Sequence, residues 1–181
     1  MKRQWILIGT MVAALLLVVG LLAGCGGTQK AQLDAFNTAK TKAEANKAVV
    51  RSYYDIVNLP DLKGYVEFLS PNYKRYLSPT AAPLTADGNK KRLAGFHTVC
   101  PDDFKLTVED MIAEGDRVVA RCTFTGTQKG TFMGIPPTGK PVKIWNVEVF
   151  RIENGKIIEQ WGGPDLLDSL QQIGAVISAG K

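Results

Sequence analysis

Histidine is almost absent from this sequence and cysteine is scarce. There is one histidine, His97, and there are three cysteines, Cys25, Cys100 and Cys122. No Cys-x-x-Cys pair occurs, and a single histidine gives a poor start to a four-ligand zinc set, so neither a metal nor another cofactor is expected. A basic stripe is missing too. The 22 Lys and Arg residues exceed the 17 Asp and Glu by 5. The densest basic cluster, Asn89-Lys90-Lys91-Arg92, is too short to track a phosphate backbone. Nucleic acid is therefore not an expected partner, although a weak attraction to anionic lipid headgroups is compatible with the charge. No internal repeat is visible.

The long hydrophobic run is confined to the start. "MKRQ" is a short basic segment, "WILIGTMVAALLLVVG" is apolar, and "LLAGC" closes it. From Trp5 to Ala23 the run is almost the length of a membrane-spanning helix, which needs about 20 apolar residues. The small residues Ala23 and Gly24 fit a signal peptidase, and the thiol of Cys25 directly follows them. Together these features resemble the bacterial lipoprotein signal, with Leu22-Ala23-Gly24-Cys25 as its lipobox. The resemblance implies cleavage after residue 24 and a diacylglycerol on Cys25. It places the chain at the cell membrane, lipid-anchored on the extracytoplasmic face. The mature chain, Cys25 to Lys181, has 157 residues, enough for one domain with a real core. The expected organisation is a signal peptide over 1–24, a lipidated tether and helical stalk over 25–45, and a domain over 46–178.

Export makes a disulfide between Cys100 and Cys122 conceivable. A hairpin centred on Glu114-Gly115 would put Cys122 opposite Thr107. Cys100 would then lie roughly 23 Å away along a straight strand. A bridge needs Cα atoms within about 7 Å, so none is expected.

Residues 31–57 contain no Pro or Gly and read as helix, with Val49, Tyr53, Ile56 and Val57 on one apolar face. "YVEFLS" reads as a short second helix and "YKRYLSPTAAPL" as a loop. Thr85 can cap a third helix running to about Val99, with Leu93 and His97 four residues apart on one face. After Pro101 the period becomes two. Residues 103–113 and 116–127 read as a hairpin, and 142–152 and 156–163 as another, turned by Asn154-Gly155. Residues 166–177 read as a last helix, with Leu166, Leu170, Ile173 and Ile177 in helical spacing. Three helices, an antiparallel sheet and a closing helix make an α+β plan.

The Asn154-Gly155 turn predicts a register in which Glu148 faces Trp161 and Phe150 faces Glu159. One face of the ribbon then carries Asn146, Glu148, Phe150, Glu159, Trp161 and Gly163. The other carries Trp145, Val147, Val149, Arg151, Ile158 and Gln160. The first face mixes aromatics, acids and an amide, as a ligand cavity does. A solvated face has the same composition, but exposing Trp161 and Phe150 would cost apolar contact. Asn146, Glu148, Phe150 and Trp161 are thus candidate ligand-binding residues.

The order of elements resembles the nuclear transport factor 2-like fold, a bent sheet closed by helices into a cone. More closely, "FKLTVEDMIAEGDRVVARCTFTGTQKGTFMGIPPTGKPV", "VFRIENGKIIEQWGGPDLL" and "LQQIG" resemble the SnoaL-like polyketide cyclase or ester cyclase family, over about residues 46–177. The resemblance implies a cavity for a small, largely apolar molecule. It also makes a homodimer a candidate, because this fold often pairs through its sheet. In cyclases of the family an aspartate near the C-terminus works as acid and base in an aldol closure, and Asp165 best matches its position. Two positions depart from the family pattern. Gly162 stands where many relatives have a second acid. Tyr76, in "SPNYKRYLSP", stands where many have a histidine, and its hydroxyl is a candidate donor to a ligand oxygen.

Asp165 also has a structural reading. It precedes Leu166 and has Asp168 three residues on, the pattern of a helix N-cap worth about 1 kcal/mol. A carboxylate that accepts backbone N–H bonds is a weak base. His97 reads either as a core histidine or as a second catalytic candidate, since histidine is the side-chain type that titrates near neutrality. Two functions follow. One is a binding or accessory module. The other is a cofactor-free cyclase or isomerase using Asp165, with His97, for enolate-type proton transfer.

Overall fold

The first helix, α1, runs Lys2–Val57 in the computed structural model. The structure describes the backbone of residues 2–175 and the side chains of residues 27–175. The chain divides into two compact units, Met1–Thr41 and Lys42–Lys181. In the first, every described side chain is exposed. The expected signal peptide (1–24) and Cys25 lie outside the described side chains. Among the described residues no helix is long and apolar enough to cross a membrane.

In the second unit, α1 buries Asn46, Val50, Tyr53, Tyr54 and Val57. The stripe expected from the sequence is thus rotated slightly, with Val49 and Ile56 at its edge rather than its centre. The expected second helix is a single 3-10 turn at Tyr65–Phe68. The expected loop after it begins as a strand, β1 (Leu69–Tyr76). Two features hid this strand. Pro71 lies inside it, which is tolerated because β1 is at the sheet edge. Its pairing is also irregular between Leu69 and Lys74. Thr85 caps the next helix, α2 (Ala86–Val99), by accepting the Gly88 N–H at 3.2 Å. The buried positions of α2 are Asn89, Leu93 and His97, one residue per turn.

Four longer strands follow: β2 (Lys105–Glu114), β3 (Arg117–Thr127), β4 (Pro141–Glu153) and β5 (Lys156–Pro164). The sheet order is β1-β5-β4-β3-β2. All pairs are antiparallel except β1 with β5, which is parallel. The expected antiparallel sheet is therefore mixed, although the α+β plan with a closing helix holds. The closing helix, α3 (Leu166–Ile173), is shorter than expected. Gly174, at φ 88°, ends it in the left-handed conformation, with the Ala175 N–H bonded to the Leu170 carbonyl at 2.8 Å. Ile177 lies outside the described residues.

Two β-bulges set which side chains point inward. On β2 the register shifts between Val108 and Asp110, so inward positions change from Leu106 and Val108 to Met111 and Ala113. Glu114 pairs with Arg117, so the turn is Gly115-Asp116 and Cys122 lies opposite Val108, not Thr107. Cys100 and Cys122 are both free and buried. On β5 the shift falls between Arg151 and Ile152 of its partner. Near the turn the expected register holds, with Ile152 opposite Ile157. Beyond it, Phe150 faces Gln160 and Glu148 faces Gly162. Each bulge adds one residue, flips the inward parity and bends the strand. Trp161 and Glu159 thereby leave the face of Glu148, and Gln160 joins it.

β4 alternates without a break, burying Val142, Ile144, Asn146, Glu148, Phe150 and Ile152. Its more apolar centre, Trp145 and Val147, is the exposed face. Beyond Pro164, β4 has no strand on its β5 side, and α3 takes that edge. The Asp165 N–H bonds to the Trp145 carbonyl at 2.9 Å, and the Gln172 amide bonds both ways to the Lys143 backbone.

The β4–β5 turn gives the first prediction. Asn154 and Gly155 have φ of 50° and 71°, both positive, as a type I′ turn requires. Nothing lies within 4 Å of a Cβ added at Gly155, so a substitution there tests backbone strain alone. Gly155→Val should lower stability by about 1 kcal/mol or more. This is checked as a fall in the denaturation midpoint without loss of the folded baseline.

Candidate functional site

The inward faces of β3 and β4, roofed by α1, α2 and α3, enclose an open-mouthed cavity. Its empty space is about 750 Å³, including the solvent-open mouth. The walls are apolar: Val57 from α1, Leu93 and Phe96 from α2, Phe124 from β3, Ile144 from β4 and Ile173 from α3. Phe132 adds a rim residue from the connection between β3 and β4. Gln128 fixes that connection. Its Nε2 donates to the carbonyls of Gly130 and Pro136, each at 3.0 Å, and its Oε1 accepts the Thr138 N–H, also at 3.0 Å. Gly130 packs so closely on the end of α2 that a Cβ would strike the Thr98 carbonyl. This is the physical need behind the start of the Gly-x-Phe-x-Gly-Ile-Pro-Pro run.

The polar floor is built around Glu148. Its Oε1 accepts from Arg75 Nη2 at 2.6 Å. Its Oε2 accepts from the Tyr54 hydroxyl at 2.6 Å and from Gln160 Nε2 at 3.0 Å. Arg75 Nη2 also donates to the Gly162 carbonyl at 2.8 Å. Gln160 Oε1 accepts from the hydroxyls of Tyr53 and Tyr73. Asn89 Nδ2 donates to the Tyr65 hydroxyl at 2.7 Å and the Tyr73 hydroxyl at 3.1 Å. Burial disfavours the Glu148 charge. The Arg75 guanidinium, the Tyr54 hydrogen bond and the charge of Arg92 outweigh that burial, so the carboxyl is held below its usual range. Burial pushes Tyr53 and Tyr54 well above the usual phenol range, with the Glu148 carboxylate adding to the effect, so both stay neutral donors. The Cys122 thiol behind them is likewise pushed up, to about 11, chiefly by burial.

The seven residues singled out from the sequence part company here. Asn146 and Glu148 line the cavity. Phe150 is fully buried behind it, edge-on to Tyr53 and Tyr54 with centroids 5.7 Å away in each case. Trp161 and Tyr76 do come together, stacked at 5.5 Å and 8°. They lie on the opposite face of the sheet, next to the Arg117 guanidinium. Asp165 is exposed, and its Oδ1 accepts the Asp168 N–H at 3.0 Å, the geometry of an N-cap. His97 packs on Phe104 at 4.1 Å, and its Nε2 meets the Val57 carbonyl at 2.9 Å. Neither Asp165 nor His97 is part of the cavity wall.

Sequence reasoning passed over Arg75, Arg92, Gln128 and Gln160. A signal existed for Arg92, which sits four residues before Phe96 and so on the side of α2 that Phe96 marks. Gln160 was missed because the β5 bulge that turns it inward leaves no mark in the sequence, and Arg75 because Pro71 concealed its strand. Among the described residues no group of three or more His, Cys, Asp and Glu side chains is placed to hold a metal ion.

Helices packed on a five-stranded mixed sheet, with an apolar cavity over a buried polar floor, define an α+β domain built around an open-mouthed cavity. The profile of the SnoaL-like polyketide cyclases matches residues 47–173, and the chain belongs to that family. Among solved structures it is similar to AclR of Streptomyces galilaeus, described as a candidate hydroxylase. The identity is 30%, over 77% of this chain and 91% of that one, with a TM-score of 0.67. It is also similar to IdmH of Streptomyces antibioticus, described as a candidate polyketide cyclase, at 28% identity over 71% and 98% and a TM-score of 0.65. TsrD of Streptomyces laurentii is similar at 28% over 74% and 97%, with a TM-score of 0.65. No curated protein matches the chain.

The Glu148 centre gives the second prediction. Glu148→Gln leaves Arg75 buried without a counter-ion, and breaking such a pair from one side costs about 3–5 kcal/mol. The pH dependence has a definite sign. The folded-state pKa of Glu148 lies below its unfolded value, so its contribution is complete above about pH 4.3. It is lost as pH falls through the lower folded value. Acid unfolding of the wild type should therefore be steeper than that of Glu148→Gln, measured as denaturation midpoint against pH.

Proposed function

We propose that this chain is a membrane-tethered, extracytoplasmic SnoaL-like domain that binds a small, largely apolar molecule. The observation that carries this reading is the state of the cavity's carboxylate. Glu148 faces an apolar chamber, yet both of its oxygens are engaged by Arg75, Tyr54 and Gln160. A carboxylate held ionised in this way is a poor proton acceptor and a good structural anchor. The remaining walls offer shape and apolar contact, which suit binding. Mass spectrometry of small molecules released on denaturing the purified protein tests the reading. A stoichiometric apolar compound is expected, and a protein that takes up no apolar compound under any loading condition would overturn it.

The tether rests on the lipobox resemblance around Cys25. Cys25→Ser should abolish incorporation of a radiolabelled fatty acid, and a variant that still labels would end the lipoprotein reading. A homodimer through the exposed Ile112, Val119, Trp145 and Val147 fits the outer sheet face, and light scattering against concentration checks it.

The second reading, a cyclase or isomerase, is favoured by the similarity to IdmH, and it assigns proton transfer to Asp165. Asn caps a helix about as well as Asp, whereas Ala costs about 0.5–2 kcal/mol. If Asp165 serves as a cap, Asp165→Asn should keep both stability and ligand, and Asp165→Ala should lose stability. A folded Asp165→Asn protein that keeps its ligand but loses about 10²-fold or more in turnover would promote the enzyme reading instead.

A further inference from the structure

Among the described residues, buried Arg75 and half-buried Arg92 stand near one buried carboxylate, Glu148. Arg75 is matched by Glu148 at 2.6 Å. Arg92 is not matched. It lines the cavity, forms no ion pair among the described residues, and makes one long hydrogen bond, 3.5 Å to Asn89 Oδ1. Its guanidinium carbon lies 4.9 Å from the centre of the Phe96 ring. A point beside Gly163, where a Cβ would sit, is 3.6 Å from Arg75 Nη2 and 3.8 Å from Arg92 Nη2. The two guanidinium groups therefore approach one point beside β5, and Arg92 is the one of the two that lines the chamber.

A second observation points the same way. Asn146 is 3% exposed, lines the same cavity, and has a buried Nδ2 with no acceptor. Buried amide donors are normally satisfied, and leaving one unpaired is costly. In a chamber whose floor groups are already bonded to one another, an unmatched cation and an orphan amide call for an acceptor that the chain does not supply.

From this we infer that the cavity takes an amphipathic monoanion, an apolar body carrying one acidic group that sits against Arg92 and Asn146. This rests on the pocket reading above and adds a charge to its ligand. A neutral apolar molecule would fill the walls and leave Arg92 uncompensated. A dianion would have to face Glu148, whose own charge is fixed by Arg75. Burial, with repulsion from Arg75, already presses Arg92 away from its charged form, and a bound anion relieves both effects.

Two fluorescent probes with the same rings separate the claims. Anilinonaphthalenesulfonate carries an acidic group, and phenylnaphthylamine lacks it. Both are titrated into the full chain in detergent below its micelle concentration. The wild type should bind phenylnaphthylamine, and should bind the sulfonate about tenfold or more tightly, the scale of one charge-assisted hydrogen bond. Arg92→Met keeps an unbranched apolar stem and should erase that preference, read as the ratio of the two probe affinities falling to about one. Arg92→Lys should retain part of the preference, as a point charge without the fork. If Arg92→Met fails to fold by circular dichroism, Asn146→Leu takes its place and should lower the ratio of sulfonate to phenylnaphthylamine affinity. Equal affinity for the two probes in the wild type overturns the inference while leaving the pocket intact. So does a preference that survives in the folded variant. Failure of both probes to bind overturns the pocket reading, and this inference with it.

Discussion

The fold closes around one buried ion pair, Arg75 with Glu148. Neither side chain is tolerable alone at that depth, since an unpaired buried charge costs several kcal/mol even after relaxation. Together they join three strands. Arg75 comes from β1, Glu148 from β4, and the Gly162 carbonyl that Arg75 also holds comes from β5. Tyr54 adds α1 to the same point, and Gln160 adds β5 again. The sole parallel pairing of the sheet, β1 on β5, is thus locked in register by the group that anchors the cavity floor. A slip of one residue along β1 would turn Arg75 outward and strand Glu148.

That arrangement explains the glycine at 162. Its φ is 93°, and a Cβ there would press on the Val147 carbonyl and stand 3.2 Å from the Glu148 Cα. The strand must approach β4 that closely to bring its carbonyl to Arg75. An acid at this position would meet both the strain and the crowding.

The starts of α2 and α3 were legible because their capping signals are local. Thr85 caps α2, Asp165 caps α3, and the period of four along α2 gave Leu93 and His97 correctly. The β4–β5 turn was legible for the same reason, since Asn154-Gly155 has few other conformations available to it. Face assignment failed where one extra residue intervened. The β5 bulge has no distinctive residue to mark it, yet it exchanges Trp161 for Gln160 on the inner face. Pairing of distant segments was not legible at all. Arg75 looked like part of a proline-rich loop, and nothing within ten residues of it announces Glu148.

The chemistry of the site follows from what its polar groups already do. Proton transfer on a ligand needs a group that is near the ligand, free to change its hydrogen bonds, and able to titrate. Glu148 is near but has neither oxygen free. The Asp165 carboxylate is turned to its own helix, and His97 is turned to the Val57 carbonyl. The Tyr53 and Tyr73 hydroxyls donate to Gln160 and that of Tyr54 to Glu148, while Tyr65 and Tyr73 accept from Asn89. Among the residues that line the cavity, the groups left with unused capacity are Arg92 and Asn146, while Arg75, behind the floor, keeps a buried Nε and Nη1 without acceptors. Arg92 is donor-only, and Asn146 does not titrate. A pocket whose spare capacity lies in a fixed cation and an amide donor recognises an acceptor and holds it still. Such a pocket selects ligands by charge and shape, with Glu148 and Asp165 serving to keep the walls in place.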